Sequence, residues 1–255
     1  MHTVPTIAFY TVLEALRTRL FWLVLLVALA LWGGSLFVQQ LAITESSRFQ
    51  TAFLASFLRP ASVFILSLYI ISSVAREFNE RSFELILSLD ITRASYLFGK
   101  LAGFSALALL LACFFTALLG WFVPASHAVL WGASLLCELW IIVALSLFCA
   151  ITFNQIMPAA SLVLGFYLLS RSITAIQMIG ESSLLDVTAL SHKAVVFIMN
   201  SIALVIPRLD TFTQTAWLFD TSVNWSQLAP IAIQTLIYST LLVSATLFDA
   251  YRKNF

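Results

Sequence analysis

Charge is the scarce ingredient of this 255-residue chain: Asp, Glu, Lys and Arg make up 10% of it while 61% of its residues are apolar. An ordinary soluble domain carries roughly 25% charged residues, so a water-soluble fold is excluded. Neither sign is in excess, because 13 basic and 12 acidic side chains leave a net charge of +1. That balance excludes the basic surface of a nucleic-acid binder and any acidic tail. Cysteine is equally scarce. Cys113, Cys137 and Cys149 all sit in long apolar runs without metal-ligand spacing, which argues against both a disulfide framework and a zinc site. His127 and His192 are isolated, and neither His-Glu-x-x-His nor Gly-x-Ser-x-Gly occurs. No metal site and no catalytic residue is assigned.

What the chain has instead is a set of long apolar runs. A hydrocarbon core about 30 Å thick needs about 20 such residues in a helix. Six stretches qualify: 20–38, 53–75, 99–123, 128–151, 157–179 and 228–248. The second reaches full length only if Ala52 to Leu58 extend it and Arg59 snorkels or faces protein. The third and fourth are joined only by Pro124 to His127, which makes them an antiparallel hairpin. The first apolar run follows Glu14, Arg17 and Arg19 and exceeds signal-peptide length, so it is expected to remain as an anchor. Before it, Ile7, Tyr10, Val12, Leu13 and Leu16 alternate with Thr6, Thr11, Glu14 and Arg17 as in a short amphipathic helix at the headgroup level.

Six spans place both termini on one side. Arg17, Arg19, Arg76, Arg81, Arg93, Lys100, Arg252 and Lys253 fall there, and Arg48, Arg59, Arg171, Lys193 and Arg208 towards the other, which by the positive-inside rule makes the termini cytoplasmic. Residues 194–206 are too short for a span and read as an interfacial or re-entrant helix; were they a seventh span, the C-terminus would lie outside. Residues 181–227 become an outer segment of short helices and turns. The fold class expected is an all-α membrane protein, a single transmembrane unit over 1–255.

Eight of the 25 charged residues crowd between Arg76 and Lys100. Arg76/Glu80 and Glu77/Arg81 are helix-supporting i,i+4 pairs, opposed by the like-charged Glu80/Glu84. Apolar Phe78, Phe83, Leu85, Ile86, Leu87 and Leu89 lie between them, giving a helix over about 76–93 with one wet face. On charge alone this is equally well a solvated cytoplasmic loop. Gly99 and Lys100 are not a phosphate-binding loop, since Ala94 and Leu101 stand where that loop needs Gly and Ser or Thr.

The order Arg76-Glu77-Phe78-Asn79-Glu80-Arg81-Ser82-Phe83-Glu84-Leu85-Ile86-Leu87-Ser88-Leu89-Asp90-Ile91-Thr92-Arg93, followed by Gly99-Lys100, resembles the signature loop of ABC-2 type transporter permeases. The resemblance extends to the amphipathic N-terminal helix, the Ala15 to Arg19 lead into span one, the six spans and the outer segment before the last. Within that family the chain is most similar to the multicopper-enzyme maturation branch. It departs from the pattern at Arg81-Ser82, where the family has Gly-Thr, and at Asp90, where it has Pro.

The resemblance implies a bacterial inner-membrane permease subunit. Its 76–93 coupling helix would dock into a separate ABC ATPase subunit, through Arg76, Glu77, Phe78, Glu80, Arg81, Phe83 and Glu84, with Asn154 to Ile156 as a lesser contact. It implies pairing with a second permease copy, identical or related, and ATP and Mg2+ held by the partner with no cofactor in this chain. Cargo export or mechanical work would be driven from there, with an accessory protein as a candidate partner for the outer segment. The alternative is an ATP-independent secondary transporter or channel, whose intramembrane polar candidates are Glu138 and Arg171. These two could meet as a structural ion pair across adjacent spans, or Arg171 could snorkel outward. Gly99 and Gly103 form a small-xxx-small pair for helix packing, within the chain or between copies. Trp121, Trp131, Trp217 and Trp225 read as interfacial anchors.

Overall fold

The computed structural model describes residues 3–41, 45–79, 92–181, 201, 206–219 and 225–252. Among these the chain is all α, without a strand. The helices are α1 (Thr3–Arg17), α2 (Leu20–Leu41), α3 (Ser46–Asn79), α4 (Arg93–Leu119), α5 (Ala125–Phe153), α6 (Ile156–Glu181) and α7 (Leu228–Arg252). Single 3-10 turns at Leu209–Thr211, Thr215–Leu218 and Trp225–Gln227 precede α7. Six of the helices, α2 to α7, are long and apolar enough to cross a bilayer, so the chain is an integral membrane protein.

The span that reached full length only on a condition at Arg59 lies in the longest helix. At 34 residues α3 runs about 51 Å, because Arg59 faces protein, 2% exposed, and leaves the helix uninterrupted. Pro60, one residue on, removes one backbone donor from its interior. Helix α4 starts six residues before the expected 99, where the Thr92 side chain accepts the Ser95 N–H as an N-cap. Helix α5 ends on Asn154 in the left-handed region (φ 53°), a conformation asparagine tolerates at a helix C-terminus.

Helix α5 is the central column. Of its span window 72% is buried, against 11% for α2 and 17% for α7, so those two stand at the periphery. It packs on α3, α4, α6 and α7. The C-terminal end of α7 is fastened at the end of the bundle where α4 begins and α5 stops: Arg93 Nη1 donates to the Ala250 carbonyl (2.8 Å) and Thr152 Oγ1 to Asp249 Oδ2 (2.8 Å). At the opposite end, Thr174 of α6 holds Asp210. Most of the 194–206 stretch expected as a re-entrant helix lies outside the described residues.

Helix α1 does not merely lie across the headgroups. It packs along the first half of α4, its most extensive partner. A methyl group built on Gly99 would stand 2.7 Å from Ile7 Cβ, and one on Gly103 2.7 Å from Thr11 Cβ and 3.0 Å from the Ala8 carbonyl. The small-xxx-small pair thus serves packing inside the chain, as a notch for α1.

Candidate functional site

Two polar constellations interrupt the apolar bundle, one reaching from the 206–219 end to the middle of α5 and one at the opposite end. The first begins with Glu138 of α5, 0% exposed. A carboxylate so placed needs a counter-charge and hydrogen bonds, since its desolvation is worth several kcal/mol. Arg59 of α3 supplies the charge: its Nε donates to Glu138 Oε2 at 2.6 Å and Oε1 at 3.0 Å. Thr213 Oγ1 adds a bond to Oε2 (2.9 Å), and the Tyr167 hydroxyl of α6 lies against the same carboxyl.

Of the alternatives left open for Glu138 and Arg171, the ion pair between them is not formed. Arg59 reaches the carboxylate first, and Arg171 turns to backbone carbonyls of the 206–219 segment, Leu209 (3.0 Å) and Phe212 (3.4 Å). Arg59 uses its other donors in the same place, Nη2 on the Leu209 carbonyl (2.7 Å) and Nη1 on that of Thr213 (3.2 Å). Two guanidinium groups therefore converge on the carbonyls around one 3-10 turn, where backbone dipoles favour cations.

Thr213 is where this site is tied. Its backbone lies in the left-handed region (φ 48°), unfavourable for a β-branched residue. It is held there by its N–H to Ser134 Oγ (2.8 Å), its hydroxyl to Glu138 and its carbonyl from Arg59. Leu209, Phe212, Trp217 and Leu218 are buried around it, so 206–219 is packed into the bundle rather than laid over it. That burial also corrects two of the four tryptophan anchors. Trp121 and Trp225 are exposed, but Trp131 and Trp217 are buried, because the 206–219 segment covers this end of α5. His127 Nδ1 meets the Trp217 carbonyl (2.8 Å), a second tie between α5 and the segment.

The second constellation stands at the other end of the bundle, at the root of the charged connection. Glu77, near the end of α3, accepts from Lys100 Nζ and from the Tyr96 hydroxyl, both on α4. Lys100 is buried and its ammonium also faces the Phe104 ring, 5.7 Å from the centroid. The two helices that flank the connection are clamped together where they leave it. Phe78 is half-buried and packs against the core, whereas Arg76 is exposed. Glu80, Arg81, Phe83 and Glu84 lie outside the described residues.

Sequence reasoning named Glu77 and Lys100 but set Glu77 against Arg81, which lies outside the described residues, and did not join it to Lys100. It missed Arg59 and Thr213 as site residues. Arg59 could have been found as the cation inside a span on the side where Glu138 lies; nothing in the local sequence marks Thr213. Among the described residues no group of His, Cys, Asp and Glu could hold a metal. The arrangement at Glu138 offers no free nucleophile or base, since carboxylate and guanidinium neutralise each other; what it can do is fasten a loop to three helices. Compared with models of known protein families and with curated proteins, the chain finds no match in either.

Proposed function

We propose that this chain is the membrane-spanning permease subunit of an ABC-type transporter, working with a separate ATPase and a second permease copy. The observation that carries the reading is the charged 76–100 stretch, with its ABC-2-like order of residues, hung between two spans that Glu77, Tyr96 and Lys100 join at its root. A push on such a connection reaches α3 and α4 together instead of bending one of them. Rigid-body transmission of this kind is how nucleotide-driven closure of a partner is turned into movement of helices. In this reading the connection faces the cytoplasm with both termini. Phe83, Glu80, Arg81 and Glu84 dock on the ATPase, while Glu77 and Phe78 position the connection from within.

The outer constellation then has a matching role. Arg59, Glu138 and Arg171 fasten the 206–219 segment to α3, α5 and α6, so movement of α3 at one face is felt by the segment at the other. The ATP-independent transporter considered above would need Glu138 or Arg171 on its path. Both are engaged by protein groups, which favours the first reading.

The test is co-purification of the full chain with a candidate ATPase sought in the neighbouring reading frames, for the wild type and for E80R/E84R. Like charges set against a docking groove cost several kcal/mol, so the double reversal is expected to lose the ATPase while keeping a monodisperse, helical permease. A folded E80R/E84R variant that retains the ATPase and full ATP-driven function refutes the docking role.

A further inference from the structure

A groove of about 680 Å³ opens between the α1–α2 elbow and the second half of α3, at the end of the bundle where α4 begins. One part of its lining is polar: Arg17, Arg19 and Arg76, all exposed, with Thr18, Tyr69 and Ser72. The rest is apolar, with Leu20, Leu23, Phe64, Ile65 and Leu68 forming a wall. Along α3 the distance from Arg76 to Phe64 is 12 residues, about 18 Å, close to the depth of one leaflet in a core about 30 Å thick. Among the described residues no carboxylate comes within ion-pair distance of any of the three arginines, and the nearby Glu77 is taken by Lys100. Tyr69, whose hydroxyl is buried in the groove floor, makes no hydrogen bond of sound geometry; Thr18 beside it already donates to the Ala15 carbonyl.

We infer that this groove binds an anionic phospholipid, its phosphate among Arg17, Arg19 and Arg76 and its acyl chains along Leu23, Phe64 and Leu68. Charge complementarity selects the anion, and the apolar wall selects a lipid. An acidic protein segment would satisfy the arginines but would have to enter hydrocarbon to cover Leu23 and Phe64, at the cost of its own backbone polar groups. A bilayer lipid already has its phosphate and chains at those depths. The site needs the membrane-spanning bundle but not the coupling role proposed above, and it places a lipid between the N-terminal elbow and the helix that leads into the charged connection.

The test uses the full chain in nanodiscs of phosphatidylcholine containing phosphatidylglycerol, followed by detergent release and native mass spectrometry of retained lipid. Wild type is expected to retain phosphatidylglycerol over phosphatidylcholine. At about 1 kcal/mol per surface cation, each arginine removed lowers that preference about fivefold, and R17Q/R19Q/R76Q lowers it on the order of a hundredfold. The matched controls R48Q and R208Q, at the opposite end of the bundle, leave it unchanged. If the triple variant does not fold, R76Q alone, at an exposed site near a helix end, reads the fivefold step. Equal retention of the two lipids by wild type, or undiminished selectivity in folded R17Q/R19Q/R76Q, overturns the site. Displacement by glycerol phosphate at concentrations that match the lipid shows a plain phosphate site and overturns the lipid assignment.

Discussion

Arg59 and Glu138 are both almost fully buried, and each is tolerable only because the other is present. Truncating one partner leaves an uncompensated charge, a loss of about 3–5 kcal/mol, whereas replacing both with apolar residues of similar volume is often close to neutral. Unfolding midpoints in detergent should therefore fall strongly for R59M and for E138M, and recover most of the loss in R59M/E138M. Strictly additive losses would mean that the 2.6 Å contact contributes nothing. Thr213 gives a finer test of the same site. T213V keeps the shape and the backbone conformation but removes the hydroxyl from Glu138, which should cost about 1.5–3 kcal/mol for a bond to a charged acceptor. T213S keeps the hydroxyl and should stay within about 0.5 kcal/mol of wild type. A T213V protein as stable as T213S would remove the hydroxyl from the list of what holds the segment. Of this site the sequence made legible only that Arg59, Glu138 and Arg171 were anomalous, because a charge in an apolar run is visible without knowing its partner. The pairing itself was hidden: Arg59 and Glu138 are 79 positions apart, and which cation reaches the carboxylate depends on helix rotation.

Helices were the most legible scale, since hydropathy over about 20 residues reports directly what a bilayer demands. Boundaries slipped where polar residues are satisfied by protein, as at Arg59 in α3, or where a cap such as Thr92 starts a helix early. The position of α1 was only half visible. Its amphipathic pattern marked an apolar face, but only the geometry of Gly99 and Gly103 shows that this face meets α4. Alanine in a helix interior normally gains about 0.5–1 kcal/mol over glycine. At these two positions the new methyl group meets Ile7 and Thr11 at 2.7 Å, and at Gly103 the Ala8 backbone at 3.0 Å, so overpacking of about 1–3 kcal/mol should win. G99A and G103A are expected to lower the unfolding midpoint and to expose the 1–17 segment to protease. G165A, with nothing within 4 Å of the added carbon, should be neutral or stabilising. If G103A behaves like G165A, α1 is not seated in this notch in the membrane.

At the scale of the whole molecule, the two constellations sit well apart along α3, with Glu77 near its C-terminal end and Arg59 near its middle, some 18 residues or about 27 Å away. If the chain transmits work as proposed, holding the connection and docking the ATPase are separable duties. Docking belongs to Glu80, Arg81, Phe83 and Glu84, whereas the Glu77–Lys100 pair only joins α3 to α4. K100M should therefore leave the ATPase bound, because no docking residue is touched. It should nonetheless lower ATP-driven function, because a push on the connection can then separate the two helices instead of moving them together. The half-buried Glu77, left with the Tyr96 hydroxyl but no counter-charge, would also reduce stability, so a loss in K100M alone has two explanations. The exchange E77K/K100E distinguishes them, since it restores opposite charges across the same gap. Recovery of both stability and ATP-driven function assigns the pair to the clamp. Recovery of stability with function still lost would place Glu77 itself on the partner surface, and an ATPase released by K100M would say the same. Full function in a folded K100M would show that α3 and α4 need no joining for the chain to work.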